Sequence, residues 1–340
     1  MSEDSIDVWN DPRVRKLSAT LSGVNYGYWL AEPQSSPRGT IFLVHGYPDL
    51  SAGWKNQIPM LLEMGLRVVA IDCIGYGRTD SPSPIRMYTF KRASDDLAEL
   101  ARQLGAQSII LGGHDWGGMV VQRCAQYHPQ LVTHVFSIST PYFPVESTYT
   151  PIRIVAKTLP TYAYMEHLAS GELEDHFQSK AELRAFLNGC LGFPKGPNGE
   201  VGFTPEHGMH FENFPKLAPT PLFVARDLDY YAAEYSRNGI RGPNNWYRTR
   251  ELNFSDEYEY FLERPDGTLN PDPGIDQDIL YIATKNDRIL TPAMCAASKQ
   301  FCRRHRMTVV DADHWALWEN PKAVNAAIRE WLNDVWLTKS

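Results

Sequence analysis

Gly112-Gly113-His114-Asp115-Trp116-Gly117-Gly118 is the stretch that decides the fold of this chain. It follows a short β-type apolar run, 108–111, and leads into a stretch, 119–127, that suits a helix. A strand that turns sharply into a helix forces the residue at its apex into a strained conformation and projects that side chain above the sheet. Glycines on both sides let neighbouring backbones close in. The apex residue here is Asp115. A tight turn whose aspartate caps the helix is the bland alternative. Glycine on both flanks, after a buried strand, favours the projecting turn.

Working outward, a β run at 40–44 ends in His45-Gly46-Tyr47-Pro48-Asp49, and a helical stretch follows. A second β run at 67–71 leads into Gly75-Tyr76-Gly77. Phe90, Ala93, Leu97, Leu100, Ala101 and Leu104 recur at the 3–4 spacing of a helix, and 132–139 reads as a further strand. Short buried strands alternating with amphipathic helices predict a mostly parallel, doubly wound α/β sheet. Residues 144–255 break the alternation. They hold expected helices at 171–177, 180–191 and 229–237 among Gly- and Pro-containing loops, with no clear buried strand. The alternation resumes with strands at 279–283 and 307–310 and helices at 293–302 and 321–337. The expected organisation is an α/β core, 1–143 and 256–340, interrupted by a helical cap, 144–255.

Composition narrows the function. With 340 residues, 43% apolar and 21% charged, the chain can bury a core and is not a disordered segment. A net charge of −7 argues against nucleic acid as a partner. The apolar runs at 41–44 and 109–111 are far shorter than the roughly 18–20 residues of a membrane span. The N-terminal Met-Ser-Glu-Asp-Ser-Ile-Asp lacks the apolar segment of a secretory signal. The C-terminal Leu-Thr-Lys-Ser matches no retrieval or peroxisomal signal. Five cysteines, at 73, 124, 190, 295 and 302, form no CxxC pair. A soluble, reduced, cytoplasmic protein, monomer or homodimer, is the expectation. Glu206-His207-Gly208-Met209-His210 lacks the HExxH arrangement of a zinc helix and reads as solvated or lid-packing. Gly75-Tyr76-Gly77 is followed by no GK[ST] and reads as a turn. No metal, nucleotide or flavin cofactor is implied.

An aspartate at the apex sets the reaction class. Serine there would attack an acyl carbon, whereas a carboxylate suits displacement at a saturated carbon, giving an alkyl ester of Asp115. Hydrolysis of that ester needs a base for water and donors for a tetrahedral oxyanion. His314, in Asp311-Ala312-Asp313-His314-Trp315, follows the last expected strand, where open α/β sheets gather their sites. Asp287, after the preceding strand, is the expected orienting acid. Asp311 and Asp313 compete for that role but lie too close to His314 in an extended loop. The expected oxyanion donors are the backbone N–H groups of Trp116, after the nucleophile, and Tyr47, after His45-Gly46.

Taken together, His45-Gly46-Tyr47-Pro48, Gly113-His114-Asp115-Trp116-Gly117-Gly118, Asp287 and His314-Trp315 resemble the α/β-hydrolase-fold epoxide hydrolases. The likeness runs from about residue 20 to the C-terminus. It includes Arg241-Gly242-Pro243-Asn244-Asn245-Trp246-Tyr247-Arg248, which is similar to the family's cap-domain tyrosine motif. The resemblance implies an epoxide and water as substrates, no cofactor, and Tyr247 as one of two lid tyrosines that hydrogen-bond the epoxide oxygen. An opening alkoxide is far more basic than a phenol of pKa about 10, so such a tyrosine can donate and then protonate. The family's Tyr-Gln pairing points to Tyr164 as the second, preferred over Tyr162, with Met165 standing where the family has Gln. Asp313-His314-Trp315 also departs from the family's common Gly-His-Trp.

Two other functions stand against this one. Haloalkane dehalogenases share the Asp-Trp apex but need halide donors, frequently an Asn where this chain has Tyr47. One of their subfamilies puts its acid just after the strand near Ser139, where Thr140-Pro141-Tyr142-Phe143 has none. A non-catalytic binding protein of the same fold could have lost its base or acid, and both are present here.

Overall fold

In the computed structural model, residues 5–337 are described. The N-terminal residues 1–4 and the C-terminal 338–340, on which the absence of targeting signals was partly read, lie outside them. The strands are β1 (Val14–Leu21), β2 (Val24–Ala31), β3 (Gly39–Val44), β4 (Leu66–Ile71), β5 (Ile109–His114), β6 (Val132–Ile138), β7 (Phe203–Thr204), β8 (Gly208–Met209), β9 (Ile275–Thr284) and β10 (Cys302–Val310). Eight of them form one sheet in the order β1-β2-β4-β3-β5-β6-β9-β10. From β4 to β10 all pairs are parallel, and only the β1–β2 and β2–β4 pairs are antiparallel. Every residue of β5 is buried, as are Thr40–Val44 of β3, because helices cover both faces. The apolar stripe of helix Phe90–Gln103 (Phe90, Leu97, Leu100 and Ala101) packs into that core, and Thr89 caps its first turn.

The chain before residue 40 carried no strand in the reading above, yet it forms the β1–β2 hairpin. Ser22 and Gly23 both have positive φ, 45° and 84°, the backbone of a two-residue hairpin turn. β1 is a polar edge strand whose residues are mostly half-exposed, so it lacks the buried apolar run that marks the inner strands. β10 begins five residues before the expected 307 for the same reason. The expected helix 293–302 is shorter: an α-helix, Pro292–Ala297, continues as a 3₁₀ turn, Ser298–Phe301, and Cys302 already belongs to β10.

Between β6 and β9 the chain forms a helical cap whose helical elements run from Ile152 to Leu262. The antiparallel β7–β8 ribbon, two residues per strand, is the strand structure that the reading of the insertion lacked. Helix Lys180–Cys190 starts with a capping box in which Ser179 and Glu182 satisfy each other's backbone N–H groups. All five cysteines are free and buried. Among the described residues no helix is long and apolar enough to cross a membrane.

The helix Trp116–Tyr127 is tied to the cap-side helix Arg250–Glu257 by a bidentate ion pair, Arg123 with Glu257 at 2.8 and 3.0 Å, both almost fully buried. Removing one partner strands the other charge. Glu257→Ala is expected to lower unfolding stability by about 3–5 kcal/mol in urea titrations, whereas truncating Glu99, half-exposed and paired with the exposed Arg102, should change it far less.

Candidate active site

β5 ends at His114, and Asp115 follows with φ 53° and ψ −124° before helix Trp116–Tyr127 begins. A non-glycine residue held there costs roughly 1–3 kcal/mol and persists only where packing enforces it. The packing needs glycine. A Cβ on Gly117 would stand 2.0 Å from the Val44 carbonyl oxygen of β3, and one on Gly113 would stand 2.2 Å from the Gly117 oxygen. The Asp115 carbonyl accepts the Thr140 hydroxyl at 2.7 Å and the Gly118 N–H at 2.8 Å.

The side chain of Asp115 rises into the site. Its Oδ1 accepts the Tyr47 N–H at 2.7 Å, and the Trp116 N–H is the second backbone donor to this carboxylate. Gly46 leaves the room, since a Cβ there would lie 2.3 Å from Oδ1. His45 is buried and braces the loop: its Nε2 accepts the Cys73 N–H at 2.9 Å while Nδ1 donates to the Gly46 carbonyl at 2.8 Å. Burial holds its pKa down to about 4, which favours the neutral imidazole that this pair of hydrogen bonds requires. Pro48 follows directly, across a cis peptide bond.

His314 sits on the loop after β10. Its Nδ1 meets Asp287 Oδ2 at 2.8 Å and its Nε2 stands 3.8 Å from Asp115 Oδ2. The other Asp287 oxygen accepts the N–H groups of Ile289 and Leu290, so this carboxylate shapes its own loop and orients the imidazole at once. The competitors are engaged elsewhere: Asp311 is exposed beside Lys285, and Asp313 accepts the His314 backbone N–H. Burial disfavours the His314 imidazolium, but the hydrogen bond and charge of Asp287 and the charge of Asp115 outweigh it and raise its pKa to about 9. Burial raises the Asp115 carboxyl, with His314 and the two N–H donors opposing. Asp287, though buried, is held below the ordinary range by His314.

Tyr247 lies under the cap, its ring edge-to-face with Tyr47 at 5.0 Å, with Trp116 at 5.2 Å and with Tyr164 at 6.1 Å. Its motif docks it. Gly242 abuts Gly75, where a Cβ on either would meet the other's Cα below 3 Å. Asn244 accepts the Tyr47 hydroxyl at 3.0 Å, Trp246 Nε1 donates to the Ile74 carbonyl at 3.1 Å, and Arg248 pairs with Glu174 at 2.6 Å. Gly75-Tyr76-Gly77 is thus a turn that receives the cap. Burial and the Asp115 charge push both the Tyr164 and the Tyr247 phenols well above their usual range, which keeps them protonated donors.

Two cavities, of about 310 and 350 Å³, meet at the walls formed by Asp115, Tyr164, Tyr247 and Leu290. Trp116, Met119, Leu159, Tyr162, Met165 and Met294 line the first, and Tyr47, Leu168, Phe193, Phe203 and His314 the second. Tyr162 reaches only the first, with its hydroxyl on Met294 Sδ at 4.0 Å. In the Glu206–His210 segment, Glu206 pairs with Arg288 and His210 with Thr204. Among the described residues no group of three or more His, Cys, Asp or Glu is arranged for a metal ion.

Sequence reasoning assigned no role to His114, although it quoted the residue. Its Nε2 lies 2.9 Å from the His314 carbonyl oxygen, so the neighbour of Asp115 grips the loop carrying the imidazole. Thr140, noted only as not being an acid, holds the apex carbonyl.

Residues 39–321 match the alpha/beta hydrolase fold family. The chain is 36% identical to epoxide hydrolase srdG of Neurospora crassa, across 98% of this chain and 99% of that one. It is 27% identical to bifunctional epoxide hydrolase 2 of Sus scrofa, across 96% of this chain but 58% of that longer protein. The solved structure of epoxide hydrolase A from Mycobacterium thermoresistibile superposes with a TM-score of 0.74 at 26% identity, covering 94% of this chain and 98% of that one. The chain belongs to the α/β-hydrolase fold family. Within that family it is an epoxide hydrolase.

The electrostatics give a direct check. Asp287→Asn removes the largest influence raising the His314 pKa and leaves burial opposed mainly by Asp115. NMR titration of the His314 imidazole should show its pKa falling from about 9, and an unchanged value would mean that Asp287 does not set it.

Proposed function

We propose that this enzyme opens epoxides through a covalent ester on Asp115 and hydrolyses that ester with His314 as base. The observation that carries the reading is the asymmetry of the Asp115 carboxylate: Oδ1 is engaged by the Tyr47 N–H at 2.7 Å, while Oδ2 faces His314 Nε2 across 3.8 Å. In the first half-reaction Oδ2 attacks an epoxide carbon and the C–O bond of the ring breaks. Tyr164 and Tyr247 donate hydrogen bonds to the departing oxygen and one of them supplies its proton. His314 is not needed there, because a carboxylate has no proton to lose.

In the second half-reaction a water between His314 and the ester attacks Cγ of residue 115. His314 Nε2 takes its proton and Asp287 stabilises the resulting imidazolium. The negative charge develops on Oδ1, against the Tyr47 and Trp116 N–H groups. The tetrahedral intermediate then collapses, the departing alkoxide takes the proton of the new Asp115 carboxyl, and the diol leaves with the carboxylate restored and His314 protonated again. Esterification itself prepares the base. The Asp115 charge helps to hold the His314 pKa near 9, and the ester is neutral, so alkylation lowers that pKa; the proton His314 then gives up restores the phenol that protonated the ring oxygen and leaves a neutral imidazole when one is required. The cap, assigned to 144–255, supplies both phenols. Because a cavity opens on either side of the nucleophile, the reading extends to epoxides substituted on both carbons, one arm in each cavity.

His314→Gln should form the alkyl-enzyme and fail to release it. Intact-protein mass spectrometry after mixing with excess trans-stilbene oxide should show a stoichiometric adduct on the peptide containing Asp115. Binding without an adduct would refute this division of labour.

Tyr247→Phe should slow ring opening by up to ~10²–10³-fold, the cost of losing one donor to developing charge, and by less if the second phenol compensates. Stopped-flow kinetics of the alkylation phase should rank Tyr164→Phe as more damaging than Tyr162→Phe. The reverse order would move the second donor to Tyr162.

A further inference from the structure

Asp49, three residues beyond Gly46, is a carboxyl group that neither half-reaction uses. It is fully buried. Its Oδ1 accepts the Leu50 N–H at 2.8 Å and the Tyr231 hydroxyl at 2.6 Å, the latter from the cap helix Ala225–Tyr235. Its Oδ2 has no hydrogen-bond partner and presses on Gly53, where a Cβ would stand 2.1 Å away. Its backbone N–H donates to the Gly46 carbonyl at 3.0 Å. That carbonyl belongs to the same peptide unit as the Tyr47 N–H. The peptide is therefore gripped at its oxygen by Asp49 and His45, and its other end points at Asp115 Oδ1.

We propose that Asp49 is a positioning residue that works in its protonated form: it aims the oxyanion peptide, ties that aim to the cap through Tyr231, and adds no negative charge beside Asp115. This rests on the covalent reading above. The surroundings hold no compensating cation. From the loop after β4 come Asp72 and the Cys73 thiol, from the cap helix Tyr231 and Tyr235, and from the β5 turn Asp115. Lys55, on the 3₁₀ turn Ser51–Asn56, is engaged by Asp227 at 2.5 Å. Among the described residues no Lys, Arg or His lies within ion-pair distance of Asp49. Burial pushes its carboxyl up to about 7; Asp115 and Asp72 act in the same direction, and the Tyr231 and Leu50 hydrogen bonds oppose. An ionised Asp49 would set a second negative charge near the oxyanion as it forms, so deprotonation should slow the hydrolytic step.

The test is single-turnover hydrolysis of trans-stilbene oxide, with alkylation and ester hydrolysis resolved by stopped flow across neutral pH, on Asp49→Asn, Asp49→Ala and Tyr231→Phe. Asn keeps the acceptor and cannot ionise. It should hydrolyse the ester near the wild-type rate below neutrality and lose the wild type's decline above it. Ala should slow ester hydrolysis about 10–100-fold, less than outright loss of an oxyanion donor, with alkylation changed much less. Tyr231→Phe should shift the same step in the same direction, by less. Asn as slow as Ala at every pH would mean that the charge is required and would overturn the proposal. So would an Asn variant that keeps the high-pH decline, a readout that survives if Ala fails to fold. Equal slowing of both steps would reduce Asp49 to a structural residue. If the wild type shows no alkyl-enzyme phase at all, the covalent reading falls and this one with it. If the phase is present and Asp49→Ala leaves ester hydrolysis unchanged, only the Asp49 proposal falls.

Discussion

A single backbone conformation, Asp115 at φ 53°, is the constraint on which the rest of the structure depends. It is unfavourable by itself, so it must be imposed from outside. The Val44 carbonyl touches the Gly117 Cα face, β5 closes on the first turn of the helix through Gly113, and Thr140 holds the apex oxygen. Each contact fails if a methyl group is added. The glycines around Asp115 are therefore consequences of strain: they let β3, β5 and one helix come close enough to enforce it.

The same enforcement aligns elements far apart in the chain. Once Asp115 projects, its carboxylate sits against Tyr47 at the end of β3 and within 3.8 Å of His314 after β10. His114, one residue before the apex, is held to the His314 carbonyl. A displacement of the apex would disturb both at once. The cap obeys the same frame, since Tyr47 carries on its backbone the N–H that meets Asp115 Oδ1 and on its ring the Asn244 hydrogen bond. Position of the donor and position of the cap are thereby coupled through one residue.

What the sequence made legible follows from how local each signal is. Asp115 with its glycines, His45-Gly46 and the Arg241–Arg248 motif are contiguous, and each implies its own geometry. The inner strands were visible because burial on both faces leaves an uninterrupted apolar run. β1 was not, being a half-exposed edge strand, although the Ser22-Gly23 turn is a hairpin signal that could have been used. Neither were the grips of His114 on residue 314, of Thr140 on residue 115 or of Tyr231 on Asp49. These join residues 25 to 200 positions apart, and no spacing within a segment encodes them. The extent of helix 293–302 was overstated because apolar periodicity there continues into a strand that packs on the same core.

Charge completes the picture. A buried site with Asp115 and Asp287 around one imidazole, and Asp49 near Asp115, would be costly if all three carboxyl groups were ionised. His314 and two N–H donors hold the Asp287 carboxyl below its ordinary range, and His314 and two further N–H donors oppose the upward pull of burial on Asp115. Asp49 has no cation and one oxygen with no partner, so neutrality is the cheaper state for it. In the proposed mechanism Asp115 and Asp287 are the two negative charges that face the His314 imidazolium. In the proposed mechanism alkylation of Asp115 removes one of them, the smaller of the two influences that raise the His314 pKa. On that proposal the proton on His314 is held more tightly before alkylation than at the step in which water is to be deprotonated.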